Sequence, residues 1–451
     1  VSQLARLAGR AVEAAVAAGA ADAEAYAAEQ ERREVRVHGG ELESLGAATR
    51  RGVGVRAWIG GRVGCAYGTE LDEAGLAATA RRAAALARAA DEDEFAGPPR
   101  EVGEPAALGG LSDPSLREWP TARIAELALA VERGALEADP RVAGVEQAVY
   151  SDGADRVAIA SSTGVAGEIE KSHCHAHVQA LAEAGEEREA GLGFGLARGP
   201  AGLDPAAIGR EGGERAAELL GAVKPRSRSC PVVLDPTVAA SFVVLLGRTL
   251  GADAVQRGRS PFAGRLGEEV ADPAFVLRDD GLDPEGPAST PVDGEGVPCR
   301  CTELIAGGKL RSYLHDTYTA RRGGAGSTGN AARLGYWAQP SVAASNLLVE
   351  PGSLSLGELL REAGEGVYVS GVVGLHSGVN SVTGAFSVGA TGRAIRAGEP
   401  AEPLREFTIA GDLASLLRVV RAAGAAPRWV PFGGAVSAPA LLIGELTVGG
   451  G

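Results

Sequence analysis

At 451 residues, with 45% hydrophobic and 23% charged residues, the chain has a globular composition and is too long for one ordinary core, so two or three domains are expected. A net charge of −14 excludes a sequence-independent nucleic-acid binder, which needs a basic footprint to displace counterions. The five cysteines are an odd, sparse set that argues against a disulfide framework, and no apolar run of about 18 residues offers a membrane span, so a cytoplasmic setting is expected.

The opening residues 2–19 place Leu4, Leu7, Ala11, Ala15 and Ala18 on one side of a helix. Arg and Glu interrupt this Ala-rich start, which lacks the apolar core and cleavage pattern of a signal peptide. "REVRVHG" (33–39) alternates as a strand does, and "GVGVRAWIGGRVGCAYG" (52–68) reads as a hairpin turning at Gly60-Gly61. A helix is expected over 72–90 with Asp72 as its N-cap, then a loop over 91–118 and a helix over 121–138. Three or four strands follow, at about 142–152, 154–161, 164–183 and 188–198, and a helix near 205–221. The basic, Pro-bearing "VKPRSRS" (223–229) marks the expected boundary between an N-terminal domain, 1–222, and a C-terminal domain, 223–451. Beyond it strand and Gly-turn signals dominate: a hairpin at Gly307-Gly308 within 302–314, and a series of short strands over 378–400. The fold class is therefore α+β, with an α+β first half and a β-rich second half.

Several local patterns bear on chemistry. In "HCHAH", strand alternation puts His173, His175 and His177 on one face and Cys174 on the other. His173 and His175 have the spacing to share a metal ion, whereas the outer pair lies roughly 13 Å apart on an extended strand. No carboxylate or His-x-x-x-His completes a ligand set, so a polar strand face is the plainer reading. Cys299 and Cys301 would share a strand face, without the second pair that a zinc ribbon needs. His315 and His376 are isolated, and there is no G-x-S-x-G elbow, phosphate-binding P-loop or EF-hand loop. The Gly-rich segments 321–330 and 378–386 can admit a peptide backbone closely, or can be simple turns.

Taken in order, "VDGEGVPCRCTELIAGGKLRSYLHDTYTARRGGAGSTGNAAR" (292–333), "NLLVEPG" (346–352), "GVYVSGVVGLHSGVNSVTGAFSVGATGRAIRAGEP" (366–400) and "EFTIAGDL" (406–413) resemble the TldD/TldE (PmbA) family. The stretch from Ala23 to Gly68 resembles the same family's opening hairpins, so the likeness covers nearly the whole chain. It implies two domains, the second barrel-like. It also implies a part in a cytoplasmic zinc metallopeptidase assembled as a TldD–TldE heterodimer, acting on small, modified or unfolded peptides inside a closed chamber.

The family has two kinds of subunit. The TldD kind carries His-Glu-x-x-x-His on a helix and a Cys ligand near its C-terminus. An ungapped match on Asp253, Arg257 and Gly258 sets Val243, Val244 and Arg248 at the His, Glu and His positions. Valine neither coordinates zinc nor moves a proton, and Arg is permanently cationic. No Cys follows Cys301, so the resemblance is to the TldE kind, with no cofactor expected in this chain and zinc expected in a TldD-type partner. Asp235 is then the expected N-cap of a packing helix, with Pro236 at N1 and Phe242, Val243, Leu245 and Leu246 as its apolar face. Ser327, Thr328, Asn330, Asn380 and Thr383, read as polar groups on Gly-flanked strands, are the expected peptide or partner contacts. Two alternatives stay open: a stand-alone metal-dependent peptidase using His173 and His175, and a homodimeric peptide-binding protein without cleavage activity.

Overall fold

The structure, a computed structural model, describes residues 2–100, 102–431 and 435–450. The first half builds one antiparallel six-stranded sheet from β1 (Asp22–His38), β2 (Glu41–Ile59), β3 (Arg62–Gly68), β4 (Val142–Ser161), β5 (Ala166–Ala184) and β6 (Glu187–Ala197), in the order β3-β2-β1-β4-β5-β6. Helices α1 (Gln3–Ala17), α2 (Glu73–Ala89), α3 (Thr121–Leu136) and α4 (Pro205–Glu218) cover one face. Ser2 and Asp72 cap α1 and α2 by accepting from the Ala5 and Gly75 amides at 3.1 and 2.8 Å. The Ala- and Gly-rich composition is what lets these helices lie so close. A Cβ on Gly64 of β3 would fall 2.1 Å from the Ala83 carbonyl of α2, so only glycine permits that approach.

The covered face carries Ala23, Ala25, Val35, Val37, Ala148, Tyr150, Cys174, Ala176 and Val178 in its cores. The opposite face is polar at Glu24, Gln30, Arg32, Asp155, Lys171, His173, His175 and His177, and it is the face that meets the second half. One expected break is absent, and two strands are longer than expected. The segments 142–152 and 154–161 form one strand, and β1 and β2 run far beyond the alternating stretches that announced them.

Beyond residue 227 the chain forms a closed five-stranded barrel from β7 (Arg228–Leu234), Gly366–Val373, Ala385–Arg396, Glu399–Asp412 and Leu441–Gly449. Closure comes from pairing Thr408, Ile409 and Ala410 with Gly449, Val448 and Thr447. A second six-stranded sheet runs Lys309–Leu310, Cys301–Ala306, Leu277–Asp280, Asn346–Val349, Ala435–Ala438 and Arg428–Val430. Helix α5 (Pro236–Thr249) is buried in the apolar cluster these two units share. The expected α+β class and barrel-like second half are thus what the chain adopts. The short strands expected over 378–400 are instead a loop followed by one long strand, because residues 378–384 fold into turns. Among the described residues no strand of the first sheet comes from beyond Ala197, and none of the other sheets from before Arg228. No helix among them is long and apolar enough to cross a membrane.

Candidate functional site

Helix α5 starts as its sequence dictates. The Asp235 carboxylate accepts from the Thr237 amide at 2.9 Å, with Pro236 in the first turn. The same carboxylate accepts the Tyr368 hydroxyl at 2.7 Å and lies 3.3 Å from Arg215. Burial and the Asp235 charge push the Tyr368 phenol up, so it stays a donor. Further along, Val243 is 1% exposed within the shared core, Val244 is half-buried and Arg248 is exposed. Phe242 meets Phe386 edge-on with ring centroids 5.0 Å apart, and Leu246 is buried beside them, while Leu245 is only partly covered. This helix is a packing element. Its side chains do not offer a zinc ion a ligand set, and among the described residues no three His, Cys, Asp or Glu side chains converge to form one elsewhere.

The five expected peptide contacts lie in loops, which corrects their expected placement on strands, and they divide into two kinds. Thr328 and Asn330 are buried, at 6% and 4% exposure. The Thr328 hydroxyl accepts from the His315 amide at 2.7 Å, and the Asn330 amide donates to Asp279 at 2.6 Å and to the Ala343 carbonyl at 3.1 Å. Burial raises the Asp279 carboxyl to about 7, against the pull of the bonds from Asn330 and Ser345. These two side chains hold the fold: the Thr328 hydroxyl and the Asn330 NH2 group are spent on internal partners, while the buried Asn330 Oδ1 has none among the described residues. Ser327 is half-buried, whereas Asn380 and Thr383 are exposed and shape an Asx turn in which the Asn380 side chain accepts from the Val382 and Thr383 amides at 2.9 and 3.1 Å. Cys299 and Cys301 do not share a face. Cys299 is buried before the strand begins, and Cys301 opens the strand exposed.

The three histidines of β5 do share a face. His173, His175 and His177 alternate with buried Cys174 and Ala176, and the rings of His175 and His177 stack at 6.0 Å. His173 lies 4.0 Å from the Asp155 carboxylate. Burial, with Arg32 and Lys171 adding to it against Asp155, lowers His173 to about 4, so at neutral pH the ring is neutral. Lys171 and the first two of these histidines border a cavity of about 1010 Å³ that reaches across to Glu285, Arg428 and Trp429 of the second half. Lys171, Arg198 and Asp155 did not stand out in the sequence. The one available signal was that Lys171 is among only three lysines in an Arg-rich chain.

Comparison with known proteins follows the same course along the chain. Three family profiles match in order: PmbA/TldA metallopeptidase domain 1 over residues 23–87, the central domain over 114–220 and the C-terminal domain over 227–450. A protein named Metalloprotease from Methanothermobacter thermautotrophicus is 35% identical over 219 residues, 48% of this chain and 47% of that protein, so the match spans about half of that relative's length. A Metalloprotease TldD homolog from Haemophilus influenzae is 29% identical over 427 residues, 89% of this chain and 87% of that protein. Among solved structures, TldE from Thermococcus kodakarensis has the same fold, with a TM-score of 0.90 at 21% identity over 97% of this chain and 99% of that one.

Proposed function

This chain belongs to the PmbA/TldD family of metallopeptidases, and on that premise we propose that it is a TldE-like subunit without a zinc site of its own. In this reading it pairs in the cytoplasm with a zinc-bearing TldD-type subunit and helps enclose the chamber where small or unfolded peptides are trimmed, peptide natural-product precursors among them. The polar face of the first sheet and the exposed turns at Asn380 and Thr383 would then line or border that chamber.

The observation that carries the proposal is α5. Where the resemblance sets His, Glu and His, the helix has Val243 at 1% exposure, half-buried Val244 and exposed Arg248. A zinc peptidase needs imidazole ligands and a base for the bound water, and these side chains supply neither.

Metal analysis and peptidase assays on the chain alone, and on the chain co-expressed with a TldD-type subunit, test this. The expected result is a stable complex that cleaves peptides, and an isolated chain that neither cleaves nor holds zinc at one ion per molecule. Stoichiometric zinc in the isolated chain, lost on changing His173 and His175 to Ala, would establish the stand-alone peptidase instead. Peptide binding by the isolated chain, with no complex and no cleavage, would favour the homodimeric binding protein.

A further inference from the structure

We propose that the cavity bordered by Lys171 is a subsite for a carboxylate, the C-terminal end of an extended peptide, with Lys171 as the principal cation and Arg198 beside it. The proposal rests on the peptide reading above, and its test is independent of cleavage.

The cavity's volume, about 1010 Å³, is at the upper end of the roughly 300–1,000 Å³ typical of ligand sites. Its charges are unevenly committed. Asp155 is held by Gln30 at 3.0 Å and Arg32 at 2.8 Å, and Arg428 by Glu211 at 2.7 Å. Among the described residues the Arg198 side chain donates once, to the Gly286 carbonyl at 2.6 Å, and has no carboxylate within ion-pair distance, although the Glu285 charge acts on it from further away. The Lys171 backbone is paired in the sheet, but its side chain has no hydrogen-bond or ion-pair partner among the described residues. Two cations thus face one cavity in which Glu285 is the one carboxylate without a side-chain partner among the lining residues.

Lys171 is half-buried, and even partial withdrawal of an unpaired ammonium from water is costly unless an anion takes the place of the lost water. Burial pushes the Lys171 ammonium down, with Arg198 and Arg32 adding to that against Asp155, and burial lowers Arg198 as well. A negative charge in the cavity favours the charged forms of both side chains and so offsets the burial and the mutual repulsion together. Inorganic phosphate offers the same charge, but Phe194, Leu196 and Trp429 present an apolar wall that suits a carboxylate carried on an organic chain.

Calorimetric titration of the full isolated chain decides the matter, using an N-acetylated, leucine-ended tetrapeptide with a free carboxylate, the same peptide as its C-terminal amide, and inorganic phosphate. The free acid is expected to bind about 10- to 100-fold more tightly than the amide, the range of one charge-assisted hydrogen bond. Lys171→Gln is expected to abolish that difference and Lys171→Arg to keep it. Because Lys171 has no partner to lose, Lys171→Gln is expected to leave the melting temperature unchanged or raised, which a merely structural lysine would not do. Equal binding of acid and amide overturns the carboxylate assignment and leaves the peptide reading standing. Phosphate binding that Lys171→Gln removes, with neither peptide bound, overturns the peptide end as the ligand. Acid binding that survives Lys171→Gln overturns the role given to Lys171.

Discussion

Val243 and Arg248 lie five residues apart on α5 and have opposite fates, one 1% exposed in the core and the other exposed. Val243→Ala removes two buried methyl groups and leaves a cavity, so a loss of about 2 kcal/mol is expected, while Arg248→Ala is expected to stay within about 0.5 kcal/mol. Chemical denaturation of both variants checks this. A larger loss at Arg248 would mean that the helix is held by something other than its apolar face. The packing role of Phe242, Val243 and Leu246 was legible because helical spacing puts them on one side. The roles of Thr328 and Asn330 were not. Their partners, His315 and Asp279, are 13 and 51 residues away, and nothing local signals that a buried backbone or carboxylate elsewhere needs them. Lys171 escaped notice for a related reason. A lone cation acquires meaning only when the fold shows that it has no partner.

Strand β2 shows how burial governs what a sequence can reveal about an element. Its residues 53–59 pair with β3 and alternate legibly, with the turn fixed by positive φ of 59° and 73° at Gly60 and Gly61. Residues 41–50 are exposed throughout and pair only with β1, so no buried face imposes a period of two on "ELESLGAATR". The opposite failure occurs in β1, where residues 23–28 are buried on both faces and alternation again vanishes. The outer edge of β2 over residues 41–52 is unpaired among the described residues, with Leu42 and Leu45 at 50% and 51% exposure and no Pro or Lys to guard it. Such an edge is a template for self-association. Replacing both leucines with Lys is expected to lower self-association of the isolated chain in sedimentation experiments, with stability changed by about 0.5 kcal/mol or less. Unchanged association would show that the edge is not the sticking surface.

At the scale of the molecule, a buried four-charge network fastens the first sheet to the second half. Glu24 and Arg56 face each other across β1 and β2, and Arg56 reaches Glu24 at 2.5 Å and Glu295 at 2.8 Å. Arg333 also bonds Glu24, and the Thr317 amide donates to Glu295 at 3.0 Å. Two acids and two bases balance, which is what makes their burial tolerable. Taking away one member strands the others, and Arg56→Met is expected to cost about 3–5 kcal/mol at neutral pH. The pH dependence separates this loss from mere loss of packing. Burial alone would raise the Glu295 carboxyl, but the Arg56 charge and the Thr317 and Arg56 hydrogen bonds outweigh it and hold Glu295 below its ordinary value. A depressed carboxyl contributes stability that is fully present above the unfolded value of about 4.3 and is lost as pH falls through the folded value. In Arg56→Met that depression is gone. The stability gap between the parent and Arg56→Met should therefore be widest above about pH 5 and narrow steadily as the carboxylates protonate. Denaturant titrations at several pH values between neutrality and the acid limit measure it. A gap that stayed constant with pH would show that Arg56 acts here through its packing and not its charge.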